Sequence, residues 1–256
     1  MLKIDMNCDL GESFGVYTLG LDNEVLPFIS SANIACGFHA SDPVTMEKTV
    51  KAAIASGAGV GAHPGFPDLM GFGRRNMNVT PDEARAYITY QIGALAAFAQ
   101  AGGVKLSHVK PHGALYNMAG KDMKLAKAVC EAVASFDENI ILLALSGSCM
   151  IEAAKETGIR VAREVFADRA YEADGSLVAR SKPGAVIQDE DFAVSRVVRI
   201  VKEHKVTAID GTELTLSADS VCVHGDNAHA LAFVKKIRAE LEENGVKVAP
   251  LAEVLS

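Results

Sequence analysis

The sequence predicts a parallel β/α fold, and within that class it favours a barrel of seven or eight strands. Seven short apolar runs alternate with helical patterns along the 256 residues, as in folds built from strand-helix-strand units. One barrel needs about 250 residues, so we assign residues 1–256 to a single domain. Polar residues end many of the runs and not only one, which favours a barrel over the alternative, an open doubly wound sheet.

The first predicted strand, residues 2–9, places Asp5, Asn7 and Asp9 on one face, because side chains two apart in a strand share a side. A loop with Glu12 follows. Carboxylates at alternate positions seldom line a packed interior, so this face is expected to open on a polar cavity. A solvent-facing edge strand is the less favoured alternative, since helices would cover the other face of a strand that opens a β/α series.

The second predicted strand, residues 32–36, contains Asn33 and leads to a turn with His39. After this turn, Asp42 followed by a proline predicts the start of a helix, and Gly57 predicts its end.

The third predicted strand, residues 57–62, has the glycine spacing of a dinucleotide-binding loop, but it ends at His63 and is followed by Pro64 and Gly65. Such a sequence cannot open a helix, so we reject a dinucleotide site. The long loop of residues 64–79 predicts a lid, because structureless loops of this length in compact domains are usually functional.

The fourth predicted strand follows a helix that begins with a capping box at Thr80 and ends near Gly102. Its last residues place His108, Lys110 and His112 on one face. Two imidazoles beside an ammonium require water, a ligand or carboxylates around them. The Pro-His-Gly sequence breaks the strand, so this group is expected at the mouth of the barrel.

The rest of the chain continues the alternation. A polar insertion with Asp168 and Arg169 predicts a second lid, and His224 and Asp226 end the last clear strand. A hairpin about residues 210–211 precedes a strand, so it is expected on the face opposite the site. The predicted elements are a helix at 123–136, a strand at 139–145, a helix at 149–157, a strand at 159–165, a helix around 194–201, a strand at 220–224, a helix at 230–241 and an eighth strand at 246–249.

Composition excludes several functional classes. A formal net charge of −7 and an isoelectric point near 5.5 argue against a nucleic-acid or anionic-membrane partner. No segment approaches the roughly 18 apolar residues of a membrane helix, and the N-terminus lacks the pattern of a signal peptide, so we expect a cytoplasmic protein. The five cysteines are scattered, and we expect most to be buried and reduced.

The strand ends are expected to form one site of mixed charge. Such a site suits general acid–base chemistry with stabilisation of an oxyanion. Lys110 would stabilise negative charge or, when desolvated, act as a base or form a Schiff base. A divalent metal site and a nucleophilic Cys36 near His39 are alternatives that no spaced motif supports. The expected members are Asp5, Asn7, Asp9, Glu12, Asn33, His39, His63, Lys110, His112, Glu164, Asp168, His224 and Asp226.

Five motifs, in order along nearly the whole chain, resemble the LamB/YcsF family. They are DMNCDLGE at 5–12, NIACGFHA at 33–40, AHPGFPD at 62–68, VKPHGALYN at 109–117 and CVHGD at 222–226. The resemblance implies a barrel related to the carbohydrate-deacetylase type. It also implies hydrolysis of 5-oxo-L-proline to L-glutamate coupled to cleavage of ATP, with Mg²⁺ accompanying the nucleotide, in a complex with 5-oxoprolinase subunits B and C.

Within that reaction, we assign roles to the residues as a hypothesis. Lys110 and nearby histidines would stabilise the lactam oxygen or its phosphate, and Asp9 or Asp168 would position or deprotonate water. Arg169 would hold the substrate carboxylate in a bidentate clamp. The expected catalytic residues are Asp9, His63, Lys110, His112 and Asp168, and the expected substrate-binding residues are Asn7, Glu12, Asn33, His39, Arg169, His224 and Asp226.

Two other classes remain open at this point. A metal-dependent amidohydrolase or carbohydrate-type deacetylase would act without ATP, and a chelator would abolish its activity. A non-catalytic binding protein would present 5-oxoproline to partner proteins and would tolerate the loss of Asp9 and His63 without a fall in turnover.

Overall fold

The computed structural model describes residues 1–224 and 228–256. Its regular backbone consists of short strands, most of them parallel, with helices between them. The strands are β1 (Leu2–Leu10), β2 (Ser31–Ala35), β3 (Gly59–His63), β4 (His108–Val109), β5 (Ile141–Leu145), β6 (Arg160–Phe166), β7 (Lys205–Thr207), β8 (Glu213–Thr215), β9 (Ser220–Val223) and β10 (Val246–Val248).

Strand β1 closes the sheet into a barrel. Residues 7–10 of β1 pair with β2, and residues 5–8 pair in parallel with β9 on the other side. The closed ring is β1-β2-β3-β4-β5-β6-β9, which makes seven strands in the described part of the chain. Residues 2–4 of β1 also pair in parallel with β10. The predicted barrel is therefore confirmed, and the expected eighth strand extends the sheet outside the ring.

The helices begin where the sequence supplies caps. The Asp42 carboxylate accepts hydrogen bonds from the amides of Val44 and Thr45, and Thr80 and Glu83 form a reciprocal capping box; both satisfy amides that a helix start leaves unpaired. The helices are α1 (Asp22–Val25), α2 (Pro43–Ser56), α3 (Pro81–Ala101), α4 (Gly113–Ala119), α5 (Met123–Phe136), α6 (Cys149–Thr157), α7 (Glu190–Glu203), α8 (Ala228–Glu243) and α9 (Leu251–Val254).

The apolar core lies between the barrel and the helices. On β1, Ile4 and Met6 belong to this outer core and are fully buried. A separate small cluster of Ile141, Leu143, Ala162 and Leu251 packs together. Because it joins inward positions of β5 and β6 to helix α9, it fills the N-terminal end of the barrel interior. The C-terminal half of the interior is left to polar side chains.

A buried arginine holds the insertion that follows β6. The guanidinium group of Arg196 in α7 donates to the carbonyls of Phe166, Ala167 and Arg169 at 3.1, 3.2 and 2.7 Å. It also lies 5.1 Å from the centroid of the Tyr171 ring, a cation–π distance. The start of the insertion is therefore fixed against the outside of the barrel.

The antiparallel hairpin β7–β8 is confirmed as an element, but its expected position is wrong. The amide of Ile209 in its turn donates to the carbonyl of Tyr171, 2.9 Å away. The turn therefore contacts the insertion after β6 and does not lie on the opposite face. Over the described ranges, no helix combines the length and apolarity required to cross a membrane.

Candidate active site

A cavity of about 1170 Å³ opens at the C-terminal ends of the barrel strands. This is the end at which barrel enzymes carry their active sites. Six predicted residues, Asp5, Asn7, Asn33, His39, Glu164 and Asp168, lie behind the cavity wall, and Asp226 lies outside the described residues. The predicted site residues that line the cavity are Asp9, Glu12, His63, Lys110, His112, Arg169 and His224.

The ammonium of Lys110 forms the centre of the cavity floor. Its Nζ lies 2.9 Å from Asp9 Oδ1, 2.9 Å from Glu164 Oε1 and 3.1 Å from both Asn7 Oδ1 and Cys222 Sγ. Burial alone would lower the pKa of Lys110, but the neighbouring negative charges, that of Asp9 foremost, raise it well above its ordinary value. Lys110 is therefore a fixed cation near neutral pH and is not poised as a base or a Schiff-base former.

The carboxylate of Asp9 connects Lys110 to the histidines. Its Oδ1 accepts from Lys110 Nζ at 2.9 Å and from Asn33 Nδ2 at 2.8 Å, and its Oδ2 lies 3.3 Å from His63 Nε2. Burial would raise the pKa of Asp9, but the charges of His63 and Lys110 hold it well below its usual range. Asp9 is thus an ionised carboxylate with both oxygens engaged.

The hydrogen bonds of His63 and His112 fix where their protons lie. His63 Nδ1 faces the Lys110 carbonyl at 2.7 Å, and His112 Nε2 faces the Phe72 carbonyl at 2.9 Å. Carbonyls only accept, so both nitrogens carry hydrogen. The other two ring nitrogens, His63 Nε2 and His112 Nδ1, face each other 2.9 Å apart. These tautomers are inferred from the bonding partners.

The imidazole of His112 is neutral. Burial, foremost, with the charges of His39 and His63, lowers the pKa of His112 well below its ordinary value. A carboxylate faces each ring, because Asp9 Oδ2 is 3.3 Å from His63 Nε2 and Glu12 Oε1 is 3.6 Å from His112 Nδ1. His63 thus lies beside Lys110, across the Asp9 carboxylate.

His39 supports this pair from behind. Its ring stacks on that of His112 with centroids 3.7 Å apart, and its Nε2 lies 3.3 Å from Glu12 Oε1. The stack needs a glycine at position 73, where φ is +62° and an added Cβ would lie 2.7 Å from His39 Cβ and 2.8 Å from His112 Cδ2. The loop of residues 64–79 is therefore part of the wall of the site.

Below the floor, a polar network fixes the side chains of β1 and β2. Asn33 donates to Asn7 Oδ1 at 2.8 Å, and its own oxygen lies 2.7 Å from His108 Nε2. Burial, foremost, with the charge of Lys110, lowers the pKa of His108 to about 3, so this imidazole is neutral. His108 and Lys110 thus both point into the barrel, as the strand pattern predicts, whereas His112 lies beyond the end of β4 and does not share their face.

Asp5 lies one layer deeper and is completely buried. Its Oδ1 accepts from the hydroxyls of Ser30 and Ser31 at 2.6 and 2.7 Å, and its Oδ2 accepts from Ser220. Burial raises the pKa of Asp5 to about 6 despite these hydrogen bonds. Asp5 therefore belongs to the structural part of the network, away from the cavity.

Sequence reasoning placed Glu164 among the carboxylates at the mouth but gave it no role. In the structure it is fully buried, contacts Lys110 and accepts a hydrogen bond from the hydroxyl of Tyr116. The signal in the sequence is its position in β6, where it shares a strand face with Ala162 and Phe166. No pattern in the sequence identified Tyr116, since an aromatic residue at the start of a helix is common in cores.

Asp168 and His224 form a second acid–base pair at the cavity wall. His224 Nδ1 lies 2.9 Å from Asp168 Oδ2. Burial disfavours the charged form of both residues, but the opposite charge of the partner outweighs it. The pKa of His224 is therefore raised, and the pKa of Asp168 falls to about 2. His224 lines the cavity and Asp168 does not, so the carboxylate acts on the imidazole and not directly on a ligand.

Arg169 lines the cavity, but its guanidinium donates hydrogen bonds to carbonyls of the insertion after β6. Its Nε donates to the carbonyl of Ala185 at 3.3 Å, and its Nη2 donates to the carbonyl of Val178. Burial lowers the pKa of Arg169 to about 10, which leaves it charged at neutral pH. These contacts give Arg169 a role in shaping the insertion. Because Nε and Nη2 are already engaged, few guanidinium N–H groups remain to bind a substrate carboxylate in a bidentate way.

Within residues 1–224 and 228–256, two groups of side chains have the composition of a metal site. Ligand atoms of Glu12, His39, His63 and His112 lie within 4.8 Å of one another, and so do those of Asp9, Cys222 and His224. Imidazole and carboxylate groups suit divalent transition metals.

A closed parallel barrel with this acid–base centre at the C-terminal ends of its strands defines a barrel enzyme. The chain belongs to the LamB/YcsF family, whose model matches residues 4–256. The family membership predicted from the five motifs is thereby confirmed. The match covers every predicted site residue.

Relatives and solved structures agree with this assignment. The chain is 63% identical over 254 residues to the A subunit of 5-oxoprolinase from Clostridium beijerinckii, covering 99% of this chain and 100% of the relative. The crystal structure of a lactam utilization protein from Thermus thermophilus superposes with a TM-score of 0.91 at 47% identity, covering 97% of this chain and 99% of that one.

A more distant structure shows the fold alone. A family 4 carbohydrate esterase from Streptomyces lividans, solved with acetate, has a TM-score of 0.50 at 13% identity, covering 96% of this chain and 91% of that one. This likeness agrees with the deacetylase-type barrel that the sequence predicts.

Proposed function

We propose that this chain is the A subunit of an ATP-dependent 5-oxoprolinase, a hydrolase that opens the cyclic amide of 5-oxo-L-proline to give L-glutamate. The relatives' name supports the substrate and the existence of partner subunits. The observation that carries the proposal is the Lys110 ammonium, held by Asp9 at the floor of the cavity with the His63 imidazole on the other side of that carboxylate. A fixed cation suits a reaction that places negative charge on an oxygen.

Lys110, with His63 beside it, would stabilise the lactam oxygen as it becomes an oxyanion or carries a phosphoryl group. The Lys110 ammonium is preorganised by buried partners, so little reorganisation is needed when charge develops. A five-membered lactam is a poor electrophile. Transfer of a phosphoryl group from ATP to its oxygen would create an imidate-like ester and release ADP. Attack by one water on the ring carbon, with a proton passing to the ring nitrogen as the C–N bond breaks, would open the ring to an acyl phosphate, and a second water would hydrolyse this to glutamate and phosphate.

Water would be held between Asp9 and His224. Asp9 is ionised and reaches the cavity with 15% of its side chain exposed, so it can orient water. His224 is backed by Asp168 at 2.9 Å, which is how a carboxylate fixes the orientation of a catalytic imidazole. We therefore assign Asp168, Asn7, Asn33 and His39 as positioning residues, and we keep Glu12 as a residue that contacts ligand.

The size and charge of the cavity leave room for more than the lactam. About 1170 Å³ is the upper part of the range for small-molecule sites. Its outer wall carries Arg74, Lys121 and Arg180, and cations are suited to phosphate oxygens. We propose that the phosphoryl donor approaches from this side, with Mg²⁺ bound to ATP and subunits B and C completing the enzyme.

An ATP-independent, metal-dependent amidohydrolase is the second candidate. The observation that favours it is the cluster of Glu12, His63 and His112 at the cavity wall.

One assay distinguishes the two candidates. Glutamate release from 5-oxoproline is measured for the chain alone and with subunits B and C, each with and without ATP, and the ATP-free reactions are repeated with a chelator. We expect release only when ATP and both partners are present. Release by the chain alone without ATP, abolished by the chelator, would establish the amidohydrolase. If turnover survives replacement of both Asp9 and His63, the chain would be a non-catalytic binding subunit.

A further inference from the structure

We propose that Glu12, His63 and His112 bind one divalent transition-metal ion of the Zn²⁺ type, open to the cavity. Ligand atoms of these three residues and of His39 lie within 4.8 Å of one another. The three proposed ligands also line the cavity, so an ion can reach them from solvent. The inference concerns binding by the chain itself and does not depend on the proposed substrate.

Hydrogen bonds to main-chain carbonyls fix one ring nitrogen of each histidine and leave the other facing the proposed ion. His63 Nδ1 is held by the Lys110 carbonyl at 2.7 Å, and His112 Nε2 by the Phe72 carbonyl at 2.9 Å. The remaining nitrogens, His63 Nε2 and His112 Nδ1, face each other and the Glu12 carboxylate. Histidines that bind metals are oriented in the same way, by donating the other ring N–H to a carbonyl or carboxylate.

The spacing of the inward atoms suits a tetrahedral ion. Metal–ligand bonds of about 2.0 to 2.1 Å place neighbouring tetrahedral ligands roughly 3.3 Å apart. His63 Nε2 and His112 Nδ1 are 2.9 Å apart, and His112 Nδ1 is 3.6 Å from Glu12 Oε1. Entry of an ion therefore requires the two imidazoles to separate by only about 0.4 Å, the difference between this contact and the ligand spacing.

The surrounding charges also suit an ion at this position. Two carboxylates face it, because Asp9 Oδ2 is 3.3 Å from His63 Nε2 and Glu12 Oε1 is 3.6 Å from His112 Nδ1. Both would offset the positive charge of a divalent ion placed between the two imidazoles. Asp9 is not among the three proposed ligands, since its Oδ1 is already held 2.9 Å from the Lys110 ammonium.

His39 positions a ligand and is not itself one. Its Nε2 lies 3.3 Å from Glu12 Oε1, and its ring stacks on His112 behind the cavity wall. Three protein ligands then leave one position facing the cavity. Structural zinc sites are closed by four protein ligands, whereas catalytic ones keep such an open position for water or a substrate oxygen.

The second cluster, Asp9, Cys222 and His224, is not proposed as a metal site. Lys110 Nζ lies 2.9 Å from Asp9 Oδ1 and 3.1 Å from Cys222 Sγ. An ammonium thus already occupies the space that an ion would need, and two cations at this separation would repel each other.

The test is metal binding by the isolated, chelator-treated chain without substrate. Zn²⁺ is titrated calorimetrically, Mg²⁺ serves as the comparison ion, and Co²⁺ is followed by its visible spectrum, which reports tetrahedral coordination. The variants are Glu12→Gln and His112→Gln, and His204→Gln is the matched control because His204 is an exposed histidine at the end of α7. Circular dichroism confirms that each variant is folded.

We expect one equivalent of Zn²⁺ in the wild type and in His204→Gln, at least a tenfold loss of affinity in Glu12→Gln, and weaker binding of Mg²⁺ than of Zn²⁺. If His112→Gln fails to fold, the test depends on Glu12→Gln alone, because Glu12 is partly exposed and its substitution disturbs the fold less. Absence of Zn²⁺ binding to the wild type, or equal binding to the wild type and Glu12→Gln, would overturn the site. Because no turnover is measured, either result leaves the proposed function to its own assay.

Discussion

The ammonium of Lys110 and the carboxylate of Asp9 lie 2.9 Å apart at the floor of the cavity, and both side chains are fixed by further buried partners. Replacing Lys110 by Met should lower glutamate formation by the assembled enzyme about 10²- to 10³-fold, as expected when a preorganised stabilising group is removed. Steady-state rates at saturating 5-oxoproline provide the measurement. Lys124→Gln, an exposed lysine, should retain the wild-type rate.

The same substitution leaves Asp9 and Glu164 without their cation, which should lower the free energy of unfolding by about 3 to 5 kcal/mol. Adding Glu164→Gln should restore part of this stability but none of the turnover. Recovery of both together would show that Lys110 acts only through folding.

Gly61 allows His108 to enter the barrel. A Cβ at position 61 would lie 2.0 Å from His108 Nε2, the atom that contacts Asn33. Gly61→Ala should therefore lower the free energy of unfolding by about 3 kcal/mol, the upper part of the range for overpacking. Urea unfolding measures the change.

Gly93→Ala is the matched control for this substitution. Position 93 lies in α3, and an added Cβ there meets nothing within 4 Å. The free energy of unfolding should rise by about 0.5 to 1 kcal/mol, because alanine restricts the unfolded chain more than glycine does. Equal effects at positions 61 and 93 would contradict the proposed contact with His108.

Asp5 should make stability depend on pH below neutrality. The folded chain keeps its proton up to about pH 6, whereas the ordinary pKa is 3.8. The folded state therefore binds more protons between these values, and the free energy of unfolding should fall as pH rises through this window. The two values are about two units apart, which corresponds to about 3 kcal/mol at about 1.4 kcal/mol per unit.

Asp5→Asn should remove this contribution. Its amide oxygen can still accept from Ser30 and Ser31, and its amide nitrogen can donate to Ser220. The difference in unfolding free energy between wild type and variant should shift in favour of the variant from pH 4 to pH 7, as followed by denaturant titrations across that range. A difference that stays constant with pH would show that Asp5 is ionised throughout.

Arg196 should control the order of the insertion after β6. Arg196→Leu removes three hydrogen bonds to main-chain carbonyls, which leaves buried acceptors unpaired. Hydrogen exchange in residues 167–185 should become at least tenfold faster. Arg199→Leu on the exposed side of the same helix is the control, since its partners are the exposed Glu203 and Glu213. Unchanged exchange in Arg196→Leu would contradict this role.

The sequence could predict which site residues share one face of a strand. The period of two placed Asp5, Asn7 and Asp9 on the inward face of β1, where the structure has them. The same rule failed at His112, because β4 ends at Val109 and the chain then turns into α4. His112 consequently meets His63 and the loop of residues 64–79, not His108.

Contacts that depend on loop geometry could not be predicted. Arg169 has the chemistry of a carboxylate clamp, but the folded insertion supplies carbonyls that engage it. The hairpin likewise contacts Tyr171 through the amide of Ile209. Main-chain partners do not depend on the type of side chain, so these contacts cannot be predicted from residue type alone.

The orientation of His63 and His112 depends on the carbonyls of Lys110 and Phe72. A carbonyl belongs to every residue type, so point substitution of Phe72 cannot delete its acceptor. Only events that displace the backbone, such as insertions or deletions between β3 and α3, can do so. Over evolutionary time, position 72 should tolerate exchanges of its side chain, while the length of that loop should be constrained.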